Sequence, residues 1–233
     1  MSIYKDESGR LGQLAWNDQG VDFGDSAHFT GLWVMATGDL FPWVWIDFVD
    51  GKGLIVRHPE QEPWNNWRNV SRDQTMPIVA ALMRQGSIAT AKKVFWAHAK
   101  RLFFCQNIER DAKGTRKYPW PHKVNGKWRV FDFADPLAPH HISAMARAAG
   151  YKTWLIDAIA FPTFILECLT FRYSDNDDQG ALIATAACLG KLHWFKFFNP
   201  DWEKKLDLYC NGWRRQGELF KELRNFVFFN RSI

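Results

Sequence analysis

Four short polar clusters in this 233-residue chain each stand directly before an apolar run. They are Asp25 with His28, Arg72 with Asp73 and Gln74, the pair His140 and His141, and Asp177 and Asp178 with Gln179. Cleaving a glycosidic bond takes two carboxyls across a sugar-binding cleft, one giving a proton and the other acting as nucleophile or as base for water. Asp25, Asp73 and Asp178 are the carboxyl candidates. Arg72 beside Asp73 favours the ionised form, so Asp73 suits the base and Asp25 or Asp178 the donor. A lyase would instead need a base and a cation against a uronate, for which His28, His140, His141 and Arg72 are available. The bland alternative for every cluster is helix capping and dipole pairing, since Asp and Ser are favoured at helix starts. Capping explains Ser71 and Asp73 but leaves Arg72, Gln74 and the histidines without a task.

The elements that must position these residues are helices. The clusters open the runs GDSAHFTGLWVMATG, SRDQTMPIVAALMRQG, APHHISAMARAAG and DNDDQGALIATAACLG, and each run stops at Gly. Three are followed by a longer, more aromatic helix, such as SIATAKKVFWAHAKRLFF or YKTWLIDAIAFPTFILECLTFRY, the latter with Pro162 as an expected kink. A weak repeat of helical hairpins results. The small-residue helices are apolar nearly all round and are expected to form an inner layer, the aromatic ones an outer layer. Parallel inner helices would bring the polar starts to one end. The C-terminal run from residue 201 also reads as helical. The expected fold is all-α, a single domain over residues 1–233 made of packed helical hairpins. It carries an irregular arm over 1–24 and a long loop over 107–135 with a small β-hairpin at Asn125–Gly126. Residues 43–48 read as a short helix or strand.

The sequence holds 13 Trp and 19 Phe, more rings than a core of this size needs. Trp64, Trp67 and Trp120, with His58, fall in loops expected on the side of the polar starts. Flat rings there suit stacking on sugars; they also suit a subunit contact.

The motifs DSAHFTG, Arg57–His58–Pro59 and SRDQ give the chain its likeness. It resembles the (α/α) helical-hairpin toroids of glycoside hydrolases and polysaccharide lyases, and uncharacterised bacteriophage and metagenomic proteins with an RHP…SRDQ arrangement. The resemblance implies a partial toroid, since 233 residues supply fewer hairpins than a full ring. It implies a polysaccharide or glycan as ligand, through Asp73, Asp25, Asp178, His28 and Arg72, with His58, Gln74, Trp64, Trp67, Trp120, His140, His141 and Gln179 lining the site. The alternative it carries is a virion structural or attachment protein without catalysis, partnered by other virion proteins or by its own copies.

Other chemistries find little footing. Adjacent histidines such as His140 and His141 are expected on different helix faces, and no H-x-x-x-H occurs, so neither a metal nor another cofactor is expected. The basic, aromatic run KGTRKYPWPHK is a weak basis for nucleic-acid binding, and the net charge of +5 adds little. Phosphate-binding loops and nucleophile elbows are absent from the sequence. Cys105, Cys168, Cys188 and Cys210 are widely spaced and read as reduced thiols. With no signal peptide or membrane span legible, synthesis in a reducing cytoplasm is expected, with the virion as a later destination.

Overall fold

A computed structural model describes residues 9–11, 13–14, 21–39, 48–49, 51–59, 71–103, 122–124, 127–129, 137–170, 177–211, 217–231 and 233. Among them the chain is mostly helical. The helices are α1 (Ser26–Thr37), α2 (Arg72–Arg84), α3 (Ile88–Ala99), α4 (Pro139–Ala148), α5 (Trp154–Thr170), α6 (Asp177–Cys188), α7 (Leu192–Phe198), α8 (Trp202–Asn211) and α9 (Gly217–Phe228). Two short antiparallel pairs accompany them: β1 (Gln13–Leu14) with β2 (Val21–Asp22), and β3 (His122–Val124) with β4 (Lys127–Arg129). The N-terminal segment is tied to α1, where the buried Leu11 donates its backbone N–H to Thr30 Oγ1 at 2.9 Å. The expected element at 43–48 and the Asn125–Gly126 turn lie, apart from Phe48, outside the described residues.

Burial separates two sets of helices. In α1 and α2 nearly every residue is inside, and in α6 so is every residue from Gln179 on. In α3 only Ala91, Val94, Ala97 and His98 are buried, and in α5 only Ala160, Phe164 and Cys168. Small residues make this possible. Ala, Gly, Ser and Thr let α1, α2, α4 and α6 approach one another closely, while α3 and α5 lie outside them and turn only a narrow set of residues inward. Each buried helix is followed by a glycine in the left-handed region, which stops it. Two of the following helices are shorter than expected: α3 has 12 residues against 13 in α2 and stops at Ala99, and α7 has seven and ends before Pro200. Helix α5 runs through Pro162 without interruption.

Helices α1 and α2 meet at both ends, so this pair runs parallel. The starts of α1 and α2 are joined by side chains described below. At their other ends Gln85 Nε2 donates to the carbonyls of Gly38 and Asp39, at 3.4 and 2.9 Å. At the corresponding end of α4, Arg147 Nη1 donates to the Leu189 carbonyl just past α6.

Cys168 and Cys188 are free and buried, and burial pushes both thiols up to about 12. His98 lies fully inside, its Nδ1 against the Val94 carbonyl at 3.0 Å and its Nε2 without a hydrogen-bond partner. Burial, aided by Arg101, brings the ring down to about 4. The folded state therefore resists protonation that the unfolded chain accepts. Stability present above pH 6.5 is lost as the pH falls towards 4, by about 3 kcal/mol from this residue alone. Urea midpoints at pH 7 and pH 4.5 should show the loss, and His98→Leu should shrink the difference between them.

Candidate functional site

The backbone N–H groups of a first helical turn have no partner inside their own helix. In α1 the chain supplies them from elsewhere. Ala27 N–H donates to the Arg57 carbonyl, and His28 N–H donates to Gln74 Oε1, both at 3.0 Å. Asp25 occupies the N-cap position but makes no capping hydrogen bond with its side chain. Its carboxylate is turned to Arg57 Nη1 at 2.5 Å and to Gln74 Nε2 at 2.9 Å. The same Gln74 nitrogen donates to Asp73 Oδ2 at 3.1 Å. Because Gln74 Oε1 is committed to an N–H, the orientation of this amide is fixed. It holds two carboxylates from different helices within about 6 Å of each other.

A proline completes the link. Pro77 lies inside α2 and has no N–H for the carbonyl of Asp73, four residues earlier. That carbonyl is thereby free to accept a proton from His28 Nδ1, at 2.6 Å. His28 is fully buried, and its Nε2 edge lies against Gly180 of α6, where a Cβ atom would approach the ring to 2.7 Å. Helices α1, α2 and α6 are thus brought together at their starts. Burial pushes the Asp73 carboxyl up, but His28, the Ser71 hydroxyl, Arg57 and the Gln74 amide outweigh it and hold it below the usual range. Asp73 is ionised at neutral pH and only partly buried.

A second cluster joins α2, α4 and α5. Glu167, near the end of α5, faces Arg72 at 3.6 Å, His140 Nε2 in close contact and His141 Nε2 at 3.8 Å. These partners outweigh burial and bring its carboxyl down to about 2. The rings of His140 and His141 lie 4.1 Å apart, inclined at 42°. This corrects the expectation that adjacent histidines point to different faces: both Nε2 atoms turn to one carboxylate.

His140, His141 and Glu167 place candidate ligand atoms within 4.8 Å of one another, a spacing that would suit a metal. The hydrogen bonding favours another state. The Ala138 N–H can only donate, so His141 Nδ1 accepts it, at 3.2 Å. The neutral ring then carries its proton on Nε2, the atom that faces Glu167. Burial and the neighbouring His140 hold His141 well below its usual range, which keeps it neutral. With the Arg72 cation also beside Glu167, the group fits a clamp on a carboxylate better than a cation site.

Among the remaining expected site residues, His58 is buried with its ring 5.5 Å from Phe23. Gln179 is buried at the start of α6, and neither its amide oxygen nor its amide nitrogen has a hydrogen-bond partner. Asp178 lies in the first turn of α6, with its side chain outside the described residues; Trp64, Trp67 and Trp120 lie outside them entirely. A cavity of about 410 Å³ lies at the opposite end of the buried helices, against Met83, Cys188, Gly190 and Arg231, away from the polar starts.

Two residues central to this geometry were not among the candidates read from the sequence. Arg57 was visible only as part of the RHP motif. Glu167 had a clearer signal: within the apolar run from Trp154 to Thr170 the only charges are Asp157 and Glu167, and an acid in such a run needs partners. Compared with known proteins, the chain matches no family model, no curated protein and no solved structure.

Proposed function

We propose that this protein binds a carbohydrate chain at the shared polar end of α1, α2, α4 and α6, with Asp73 as the central residue. The observation that carries this reading is the Asp25–Gln74–Asp73 bridge. It supports two part-exposed carboxylates at a separation near that of glycosidase pairs, on residues whose side chains do not serve as caps. Paired carboxylates are also good acceptors for sugar hydroxyls. Trp64, Trp67 and Trp120 are the residues proposed to stack on sugar rings, and the two sets of helices are proposed to form part of an (α/α) toroid.

If the bound chain is cleaved, hydrolysis suits the site better than elimination. Asp73 is held ionised, as a nucleophile or base requires, while Asp25, ion-paired with Arg57, is a second acceptor and not a proton donor; the donor is proposed to be Asp178. The histidines a lyase would use are engaged: His28 with the Asp73 carbonyl, His140 and His141 with Glu167.

The test is a panel of bacterial surface and plant polysaccharides, read by calorimetric binding and by new reducing ends. Asp73→Asn is expected to weaken binding at least tenfold, about 1.4 kcal/mol, and to abolish any release of reducing ends, with the fold intact by circular dichroism. Equal binding by the variant, or no binding by the wild type across the panel, would overturn the reading. A second reading, a virion structural or attachment protein, is favoured by one observation: the outer face of α5 is apolar and exposed.

A further inference from the structure

An outer helix of a two-layer protein ordinarily turns a charged face to water. Helix α5 does the reverse. Trp154, Leu155, Ile159, Leu166 and Leu169 are 70, 66, 60, 58 and 61% exposed. The helix carries two charges, and both are engaged on the inward side. Asp157 takes hydrogen bonds from Ser143, Thr153 and Arg147, and Glu167 faces Arg72 and the paired histidines. With exposed Pro162, residues 155, 159, 162, 166 and 169 follow steps of four, three, four and three. That alternation is the 3.5-residue period of a straight seam between two nearly aligned helices. It differs from the wider stripe by which a helix docks on a globular core.

We infer that α5 is the contact between two copies of this chain, packed antiparallel about a two-fold axis at Pro162. A second copy suits the face because the face is apolar and uncharged, and because an antiparallel pair about Pro162 sets apolar residues opposite one another: Leu155 meets Leu169, Ile159 meets Ile165 and Leu166 meets Ala158. The antiparallel arrangement sets the large Trp154 opposite the small Thr170 of the other copy. A parallel pair would stack Trp154 on itself. It also brings exposed Lys152, just before the helix, to the carbonyl end of the opposing α5, where a cation is favoured. The area is sufficient. Ring contacts from Phe161 to Trp194 and from Trp194 to Phe197 extend the patch onto α7, where Phe197 is 71% exposed. Those large side chains together expose roughly 800 Å² per copy, an upper bound on what the contact buries and the scale of a standard interface. The two-fold pairing is isologous and closes on itself, so it stops at the dimer.

Sedimentation velocity of the whole chain at micromolar concentration is expected to show a dimer. Ile159→Asp combined with Leu166→Asp is expected to raise the dimer dissociation constant at least 100-fold, with the monomer's circular dichroism unchanged. Cysteine cross-linking gives a second measurement that leaves the seam nearly intact. A mixture of Leu155→Cys and Leu169→Cys chains is expected to form a disulfide-linked dimer that neither variant forms alone. A wild type that stays monomeric overturns the inference and assigns the face to another occupant. A dimer that survives the double aspartate substitution also overturns it. Linkage of Leu155→Cys to itself overturns the antiparallel arrangement. None of these readouts depends on carbohydrate binding.

Discussion

Glu167→Ala is expected to destabilise the protein by about 3–5 kcal/mol, the range for removing one partner of a buried ion cluster. In a chain of this size that corresponds to a fall in Tm of roughly 6–20 °C. Glu167 is 12% exposed, and Arg72, His140 and His141 are turned towards it from α2 and α4. Without the carboxylate, the largely buried Arg72 guanidinium and the two imidazoles lose the acceptor they share. Glu167→Gln keeps an oxygen to accept the His140 N–H and should cost less. The difference between the two variants separates lost charge from lost contact.

The same residue sets an acid limit. Its carboxyl titrates at about 2 in the folded protein and near 4.5 unfolded. A lowered carboxylate stabilises the fold above the unfolded value, and that contribution disappears as the pH falls from 4.5 towards 2. The displacement amounts to about 3 kcal/mol. The buried histidines act in a higher window: His98 and His141 are both held below 6.5, so their contribution is lost first as the pH falls. The wild type should therefore lose stability in two stages, and Glu167→Ala should flatten the lower one. Urea midpoints taken between pH 7 and pH 3 check both; an unchanged slope below pH 4.5 in the variant would sink the role given to Glu167.

The helices were legible because their signals are local. Small and aliphatic residues between a polar start and a glycine gave α1, α2, α4 and α6 within a residue or two at most boundaries. The meeting of Asp25, His28, Asp73 and Gln74 also followed from that repeat, once the buried helices were taken as parallel. The partners that fix the geometry were not legible, because they are distant in sequence. Arg57 reaches Asp25 from a loop, and Glu167 reaches Arg72 from the far end of α5. Nor was the pairing of His140 and His141, since helical spacing alone sends adjacent residues apart. Here His141 bends back to take the Ala138 N–H, and that brings the rings together. Pro77 was also silent in the sequence: its effect, a freed Asp73 carbonyl, appears only where His28 arrives from α1.

That junction predicts a second large effect. Gly31 of α1 lies against Pro77, and a Cβ atom there would sit 2.6 Å from the Pro77 carbonyl carbon and 2.8 Å from the Ile78 nitrogen. Both are backbone atoms of α2, which cannot turn aside as a side-chain tip does. Alanine would ordinarily favour a helix over glycine by about 1 kcal/mol. The clash reverses the sign, and Gly31→Ala is expected to cost about 2 kcal/mol net, as overpacking does in a tight core. Gly31→Val, with two more methyl groups, should cost at least about 3 kcal/mol. Relief requires α1 to move away from α2, and the bonds from His28 to Asp73 and from Gln74 to Asp25 span that gap. The carbohydrate affinity proposed for this site should therefore fall with stability in Gly31→Ala, although residue 31 lies a full turn beyond His28. Differential scanning calorimetry and the glycan titration, run on the same preparation, would show the two losses together. A stable Gly31→Ala variant would mean that α1 and α2 are not in backbone contact, and the bridge between Asp25 and Asp73 would lose its support.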